Sequence, residues 1–308
     1  MPSPLLSRVE SSSNGTFRFA SLALLCAALS LSAGASAQDQ IAVPTSKQLC
    51  VVLSVGGEDG LSHIGVLKAL KEAGIKPSCV YGNSMGSLVG GLYAAAPEAD
   101  LEGVYRSVMA TYVERTKQET ESAAGAGLVL SLIFGLPPLE SAILGAAAVG
   151  SVNEIDRKRL VAVLDAHFQQ KTISELPVDF ATWHDHLRSS PVKVRLNSGS
   201  LAEAIGYSIA NPLVFPDVNP RRGERIDPGA DRVSAVPLED ACRHRPDAHF
   251  IVSNVTKQPI YFSSEMRCTY DEIRIAPPKI DARKAFAGEG PDFDRLVAAG
   301  FDATKRAL

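Results

Sequence analysis

Downstream of residue 47, short apolar runs alternate along the chain with helical stripes. Cys50-Val51-Val52-Leu53-Ser54-Val55 is almost continuously apolar, the pattern of a parallel strand buried on both faces. Next, Ile64, Leu67 and Leu70 share one helical face while Lys68, Lys71 and Glu72 lie elsewhere, and Gly74 supplies the stop. Pro77 to Tyr81 predicts a second strand and Met85 to Ala96 a second helix. Gly86, Gly90 and Ala94 fall at i, i+4 spacing in that helix, so it lies close on a sheet. Further on, Ile155 to Phe168 reads as an amphipathic helix and Val178 to Thr182 as a strand. Val192, Val194 and Leu196, alternating with Lys193 and Arg195, read as a half-exposed strand. Ser200 and Glu203 form a capping box that opens a helix ending before Asn211-Pro212. Phe250 to Ser253 and Ile273 to Ile275 predict two more strands, and Phe293, Leu296, Val297, Phe301 and Leu308 a closing helix. This alternation predicts one α/β domain, a three-layer α/β/α arrangement with a mostly parallel sheet between helices.

The first 37 residues follow a different rule. Arg8 and Arg18 precede an apolar stretch from Phe19 to about Ala33, and Ala35-Ser36-Ala37 follows. A basic flank, an apolar run short for a bilayer and small residues at −3 and −1 predict a signal peptide over residues 1–37. The alternative is an N-terminal membrane anchor. The expected organisation is then a linker over 38–47, a domain over 48–308 and export to a periplasmic or extracellular space. Removal of the leader leaves Cys50, Cys79, Cys242 and Cys268. A Cys242–Cys268 disulfide and buried free thiols are both open readings. No CxxC or His/Cys spacing suggests zinc.

Composition narrows the class. With 45% hydrophobic and 21% charged residues in 308, the chain is an ordinary globular protein. A net charge of −3 gives no basis for a nucleic-acid partner or a uniformly basic membrane-binding face. One stretch stands apart: Ala123 to Gly150 carries a single charged residue, Glu140, and is broken by Pro137-Pro138. It reads either as a hydrophobic lid that touches a membrane surface or as a helical hairpin packed on the core.

The sharpest chemical signal is Gly82-Asn83-Ser84-Met85-Gly86, between a predicted strand and a predicted helix. Such a turn needs its glycines because neighbouring backbone comes very near, and it holds the serine hydroxyl out beside a helix N-terminus. The competing reading is a glycine-rich turn with a capping serine. Upstream, Gly56-Gly57-Glu58-Asp59-Gly60 also joins a strand to a helix. A phosphate-cradling loop would need a P-loop lysine and hydroxyl or a full G-x-G-x-x-G, and neither is present. An oxyanion hole formed by the N–H groups of Gly56 and Gly57 needs only that the two strands be neighbours.

These segments resemble the start of patatin-like phospholipases, which place a G-G-G-x-R-G loop about 25 residues before a G-x-S-x-G serine. The likeness continues through Asn197 to Ile205, Ser208 to Pro216, and Pro291-Asp292-Phe293-Asp294, covering nearly the whole chain after the leader in the family's order. In that family the fold is a patatin-type α/β/α sheet, and catalysis uses a Ser–Asp dyad without metal or organic cofactor. The resemblance therefore implies Ser84 as nucleophile and Asp227, in Asp227-Pro228-Gly229, as its proton acceptor. Gly56 and Gly57 would hold the oxyanion, with Gly60, Gly82, Gly86 and Gly229 as motif glycines. It also implies an acyl-lipid substrate, with phospholipid or lysophospholipid as the leading class.

Three positions depart from the pattern. Val55 replaces the first loop glycine, Asp59 stands in place of the arginine, and Pro228 replaces a glycine and removes an N–H beside the base. One carboxylate about 8 Å from the oxyanion costs about 2 kcal/mol at an effective dielectric near 20, roughly thirtyfold in rate. Two other readings therefore stand beside the dyad. One is a Ser–His–Asp esterase using His244 or His249; the other is a non-catalytic lipid-binding protein that kept the fold. For the leader, the expected outcome is a mature N-terminus at Gln38, read by mass spectrometry of protein from its native compartment. Soluble cytoplasmic protein with Met1 intact would refute it.

Overall fold

Strand β1 (Leu49–Leu53) lies at the centre of the sheet because its core-facing residues, Cys50 to Leu53, are all fully buried. The computed structural model describes residues 47–134, 156–186, 193–215, 217–218, 224–230, 235–280 and 282–308. The predicted leader, most of the linker and residues 135–150 of the apolar stretch lie outside them. The other strands are β2 (Cys79–Gly82), β3 (Asp179–His186), β4 (Val194–Leu196), β5 (Arg225–Ile226), β6 (His249–Asn254) and β7 (Thr269–Arg274). Their order is β4-β3-β2-β1-β6-β7, with β5 paired to β3. The run from β3 to β7 is parallel; β4 and β5 are antiparallel to β3.

Strand alternation sorts the core into two sets. Val51, Leu53, Val80, Phe180 and Ile251 face one layer of helices: α1 (Ser62–Glu72), α2 (Met85–Ala95), α3 (Leu101–Phe134), α4 (Arg157–His167), α5 (Leu201–Ser208) and α8 (Gly290–Ala307). Cys50, Val52, Cys79, Tyr81, Phe250 and Val252 face the other side. That side is covered by the short α6 (Leu238–His244) and by Ile260, Phe262, Met266 and Cys268. A further short helix, α7 (Ala282–Phe286), leads into α8. The three-layer α/β/α fold is thus present with unequal outer layers.

Several elements run past their predicted bounds. Helix α3 has 34 residues, about 51 Å at 1.5 Å per residue. Its first half is anchored by Leu101, Tyr105, Val108, Met109 and Tyr112, all buried at helical spacing. The apolar stretch from Ala123 therefore begins as the continuation of a helix rooted in the core. Strand β3 continues to His186 because β4 and β5 pair with its polar end, giving partners to a backbone whose side chains carry no strand signal. Strand β7 starts at Thr269 and ends at Arg274, where Ile273 is its single buried residue, as expected of an edge. Among the described residues no helix is long and apolar enough to cross a membrane.

The four cysteines pair as Cys50–Cys79 and Cys242–Cys268, so the free-thiol reading gives way to two disulfides. The first joins directly opposed residues of β1 and β2, and the second ties α6 to the start of β7. Closing a loop of 26 residues removes unfolded-state freedom equivalent to about 3 kcal/mol. The double variant Cys242→Ser/Cys268→Ser should melt on the order of 10 °C lower than wild type by circular dichroism without reductant. An unchanged melting temperature would show that this link adds no stability.

Candidate active site

Ser84 follows β2 with φ 53 and ψ −125, a conformation that side-chain-bearing residues rarely adopt. Backbone contact on both sides holds it there. A Cβ on Gly82 would meet the Gly86 carbonyl oxygen at 2.4 Å, and one on Gly86 would meet the carbonyl oxygens of Leu53 and Ser54 at 2.5 and 2.6 Å. No other residue fits at either position. The turn is tied outward as well: the Ser84 N–H donates to Ser208 Oγ (3.0 Å), and the Trp183 N–H donates to the Asn83 side chain (3.2 Å). Ser84 itself remains half-exposed among buried neighbours.

The loop after β1 lies against this turn. Gly56 is extended, Gly57 has φ +51, and a 3-10 turn follows over Gly57–Leu61. A Cβ on Gly60 would sit 2.7 Å from the Met85 side chain, so the loop packs directly on the residue after Ser84. The Val55 N–H is committed to the Ala235 carbonyl (2.8 Å). Among the described residues no backbone carbonyl takes the N–H of Gly56 or Gly57, which leaves both groups able to meet an anion. Behind them His63 is fully buried: its Nε2–H donates to the Ser54 carbonyl (2.9 Å) and Nδ1 accepts from the Ser253 hydroxyl (2.7 Å). Burial lowers its pKa to about 4, so it is a neutral brace.

Asp227 comes from the far side, just after β5. Its N–H bonds to the Ala210 carbonyl (3.0 Å), its carboxyl accepts the Gly229 N–H (2.7 Å), and the Ser84 hydroxyl lies close enough to favour its charged form. Only 3% of Asp227 is exposed. Burial raises its pKa to about 6, helped by the nearby Asp185 carboxyl and opposed by the Ser84 hydroxyl and the Gly229 N–H. Pro228 removes one N–H, and Gly229 supplies the next. Gly229 also leans on Val55, which fills the place of the missing loop glycine. Asp59 has its pKa raised by burial first and by Glu58 second, while Lys257 pulls it down. The acids beside the loop are therefore answered by a nearby cation that local sequence did not reveal.

The structure brings together Ser84, Asp227, Gly82, Gly86, Gly229 and the loop of Gly56, Gly57 and Gly60. It does not bring His244 or His249 to them. His249 starts β6, opposite Leu49, whereas the end of β1 at Leu53, opposite Gly82, leads to the serine. Four residues of strand separate those ends, about 13 Å. His249 instead meets Thr269 and Asp271, and His244 lies near Asp179 at the start of β3. His184 and His186 pack against each other on β3, and among the described residues no cluster suited to a metal ion occurs. Ser208 and Thr182 were not singled out from sequence. Thr182 donates to Ser208 Oγ (2.7 Å), which in turn accepts the Ser84 N–H. Both are ordinary small polar residues on separate elements, so only their meeting reveals the role.

Residues 51–241 match the family described as patatin-like phospholipase. Patatin-like phospholipase domain-containing protein 6 of Homo sapiens is 30% identical over 190 residues, 61% of this chain and 12% of that protein. Lysophospholipase NTE1 of Yarrowia lipolytica is 51% identical over 55 residues, 18% of this chain and 4% of its own length. The chain thus spans a small part of these relatives. Among solved structures, VipD from Legionella pneumophila is similar with a TM-score of 0.40 and 12% identity, over 88% of this chain and 70% of VipD.

A raised carboxyl pKa has a stability consequence. Asp227 favours its protonated form in the fold, so its contribution is full below the unfolded value of 3.8 and is lost as pH rises through about 6. Asp227→Asn should therefore raise the melting temperature at pH 8 more than at pH 4. The buried histidines are common to both proteins, so the difference isolates Asp227. An equal change at both pH values would show that the carboxyl carries no burial penalty.

Proposed function

Because the chain belongs to the patatin-like phospholipase family, we propose that it is a serine lipid acyl hydrolase working through Ser84 and Asp227. The observation that carries this reading is the strained, half-exposed Ser84 set beside a nearly fully buried Asp227, its hydroxyl close enough to favour the carboxylate. Asp227 accepts the hydroxyl proton as Ser84 Oγ attacks the ester carbonyl carbon, and the Gly56 and Gly57 N–H groups receive the developing oxyanion. Collapse of the tetrahedral species breaks the carbon–oxygen bond to the alcohol, which leaves with the proton from Asp227. Water then attacks the acyl-enzyme, giving its proton to Asp227, and the second collapse returns that proton to Ser84 and frees the carboxylic acid. A base with a pKa near 6 suits this duty, being mostly ionised at neutral pH yet more basic than an ordinary aspartate.

Phospholipid or lysophospholipid is the proposed substrate class, in keeping with the names of the relatives. Export is proposed as well, and the Cys50–Cys79 and Cys242–Cys268 bonds support it because disulfides persist in oxidising compartments. Contact of the stretch over 123–150 with a lipid surface belongs to the same reading.

Ser84→Ala should lose labelling by a serine-directed fluorophosphonate and at least a thousandfold of its ester hydrolysis. Asp227→Asn should lose nearly all turnover, while His244→Ala and His249→Ala keep most of it. The kcat/KM of wild type should rise with pH through a midpoint near 6, where the base ionises. Equal labelling of Ser84→Ala, or full activity of Asp227→Asn, defeats the dyad. A folded wild type that neither labels nor hydrolyses a panel of acyl esters favours lipid binding without catalysis.

A further inference from the structure

Helix α5 ends at Ser208, and the turn that it makes there with Ile209 and Ala210 holds both members of the proposed dyad. The Ser208 hydroxyl oxygen accepts the Ser84 N–H (3.0 Å), and the Ala210 carbonyl accepts the Asp227 N–H (3.0 Å). One short turn thus grips the backbones of two residues that lie far apart in the chain. Resting on the hydrolase reading, we propose that this turn sets the spacing of Ser84 and Asp227, with Ser208 as a positioning residue for the reaction and Thr182 orienting it.

The turn can act as a gauge because it has no room to move. Ser208 is fully buried, and Ile209 and Ala210 are 7% and 1% exposed. The Ile209 N–H returns to the Ile205 carbonyl (3.0 Å) and the Ala210 N–H to the Tyr207 carbonyl (3.3 Å), so the helix closes on itself before releasing the chain. Helix α5 is also wedged from two sides. A Cβ on Gly91 of α2 would meet Ile205 at 2.6 Å, and one on Gly206 would meet Val161 of α4 at 2.3 Å. Since α2 begins directly after Ser84, the helix that carries the serine packs on the helix that holds it. Thr182 of β3, also fully buried, donates to the Ser208 hydroxyl oxygen at 2.7 Å. An oxygen that accepts two bonds is held from two directions, which fixes the rotamer of Ser208. Strand β3 then pairs with β5 through Asp185 and Ile226, one residue before Asp227. The Ser84 N–H is therefore spent inward and takes no part in receiving the oxyanion. With no exposed surface, Ser208 does not touch a substrate; it governs where Ser84 Oγ stands. Without its acceptor the left-handed turn at Ser84 loses one of the contacts that over-determine it. A displacement of about 1 Å between reacting groups costs on the order of a hundredfold in rate.

Ser208→Ala should lower kcat for p-nitrophenyl butyrate by about tenfold to a hundredfold, with KM within about twofold. The rate of fluorophosphonate labelling should fall in proportion. Ser208→Thr, which keeps the acceptor, should recover most of kcat. Thr182→Val reads the same link even if Ser208→Ala does not fold: kcat should fall by about threefold to tenfold and return in Thr182→Ser. The double variant Ser208→Ala/Thr182→Val should be no slower than Ser208→Ala, because both changes act through one oxygen. Thr304→Val removes a buried hydroxyl bonded to the Gly300 carbonyl within α8. It should lower the melting temperature and leave kcat unchanged, which separates positioning from general loss of stability. Full kcat in Ser208→Ala, or an equal loss in Thr304→Val, overturns the positioning role while the hydrolase reading stands. A wild type that neither labels nor hydrolyses defeats the hydrolase reading, and amide hydrogen exchange then judges the turn. Slow exchange at Ser84 and Asp227 that quickens at least about tenfold in Ser208→Ala keeps the turn as the gauge of their spacing. Exchange unchanged by the substitution removes it.

Discussion

The Ser84 hydroxyl sits beside a carboxyl that the fold has removed from water, and the surrounding structure is organised to permit it. Ser84 must hold a left-handed φ, which costs on the order of 1–3 kcal/mol and persists only where neighbours over-determine it. They do so from three directions. The glycines at 82 and 86 allow backbone to press on backbone, Ser208 catches the Ser84 N–H, and Asn83 is pinned to β3. Asp227 is fixed independently, through the Ala210 carbonyl and the Gly229 N–H. The two side chains thus meet because two rigid pieces of backbone do.

That arrangement opposes stability to chemistry. Burying a carboxyl raises its basicity and charges the folded state for its ionisation at neutral pH. The unequal layers of the fold bear on how this is tolerated. Among the described residues, most of the helices pack one sheet face and supply most of the core. Among the described residues the other is covered by one short helix and a loop segment, and it is on this face that both disulfides lie. Cross-links there add constraint where apolar burial is least.

The histidines show how sheet topology assigns roles. In chain order, Ser84, Asp227 and then His244 or His249 follow the sequence of an α/β-hydrolase triad. The parallel sheet separates them, since His249 begins a strand and Ser84 follows the end of one. His63 is close to the loop of Gly56 and Gly57, yet both of its ring nitrogens are engaged and its burial keeps it neutral. It braces the loop from behind.

The sequence by itself determined the local pieces: the strand runs, the stop at Gly74, the Ser200 cap and the glycine-flanked serine. These depend on backbone geometry and on neighbours a few residues away, which a linear pattern records. It did not determine the polar end of β3, whose strand character comes from pairing with β4 and β5 rather than from its own side chains. Nor did it place Asp227 on local grounds; a turn aspartate became a buried carboxyl beside Ser84 only when β5 delivered it there. Ser208, Thr182, Asp185 and Lys257 were equally silent, because each acts through a residue far along the chain. The cavity of about 1130 Å³ lined by Gly56, Gly229, Val255 and Ile275 is the plainest case. Its walls come from five separated segments, and a shared cavity has no period or spacing in sequence, since it exists only where the ends of strands meet.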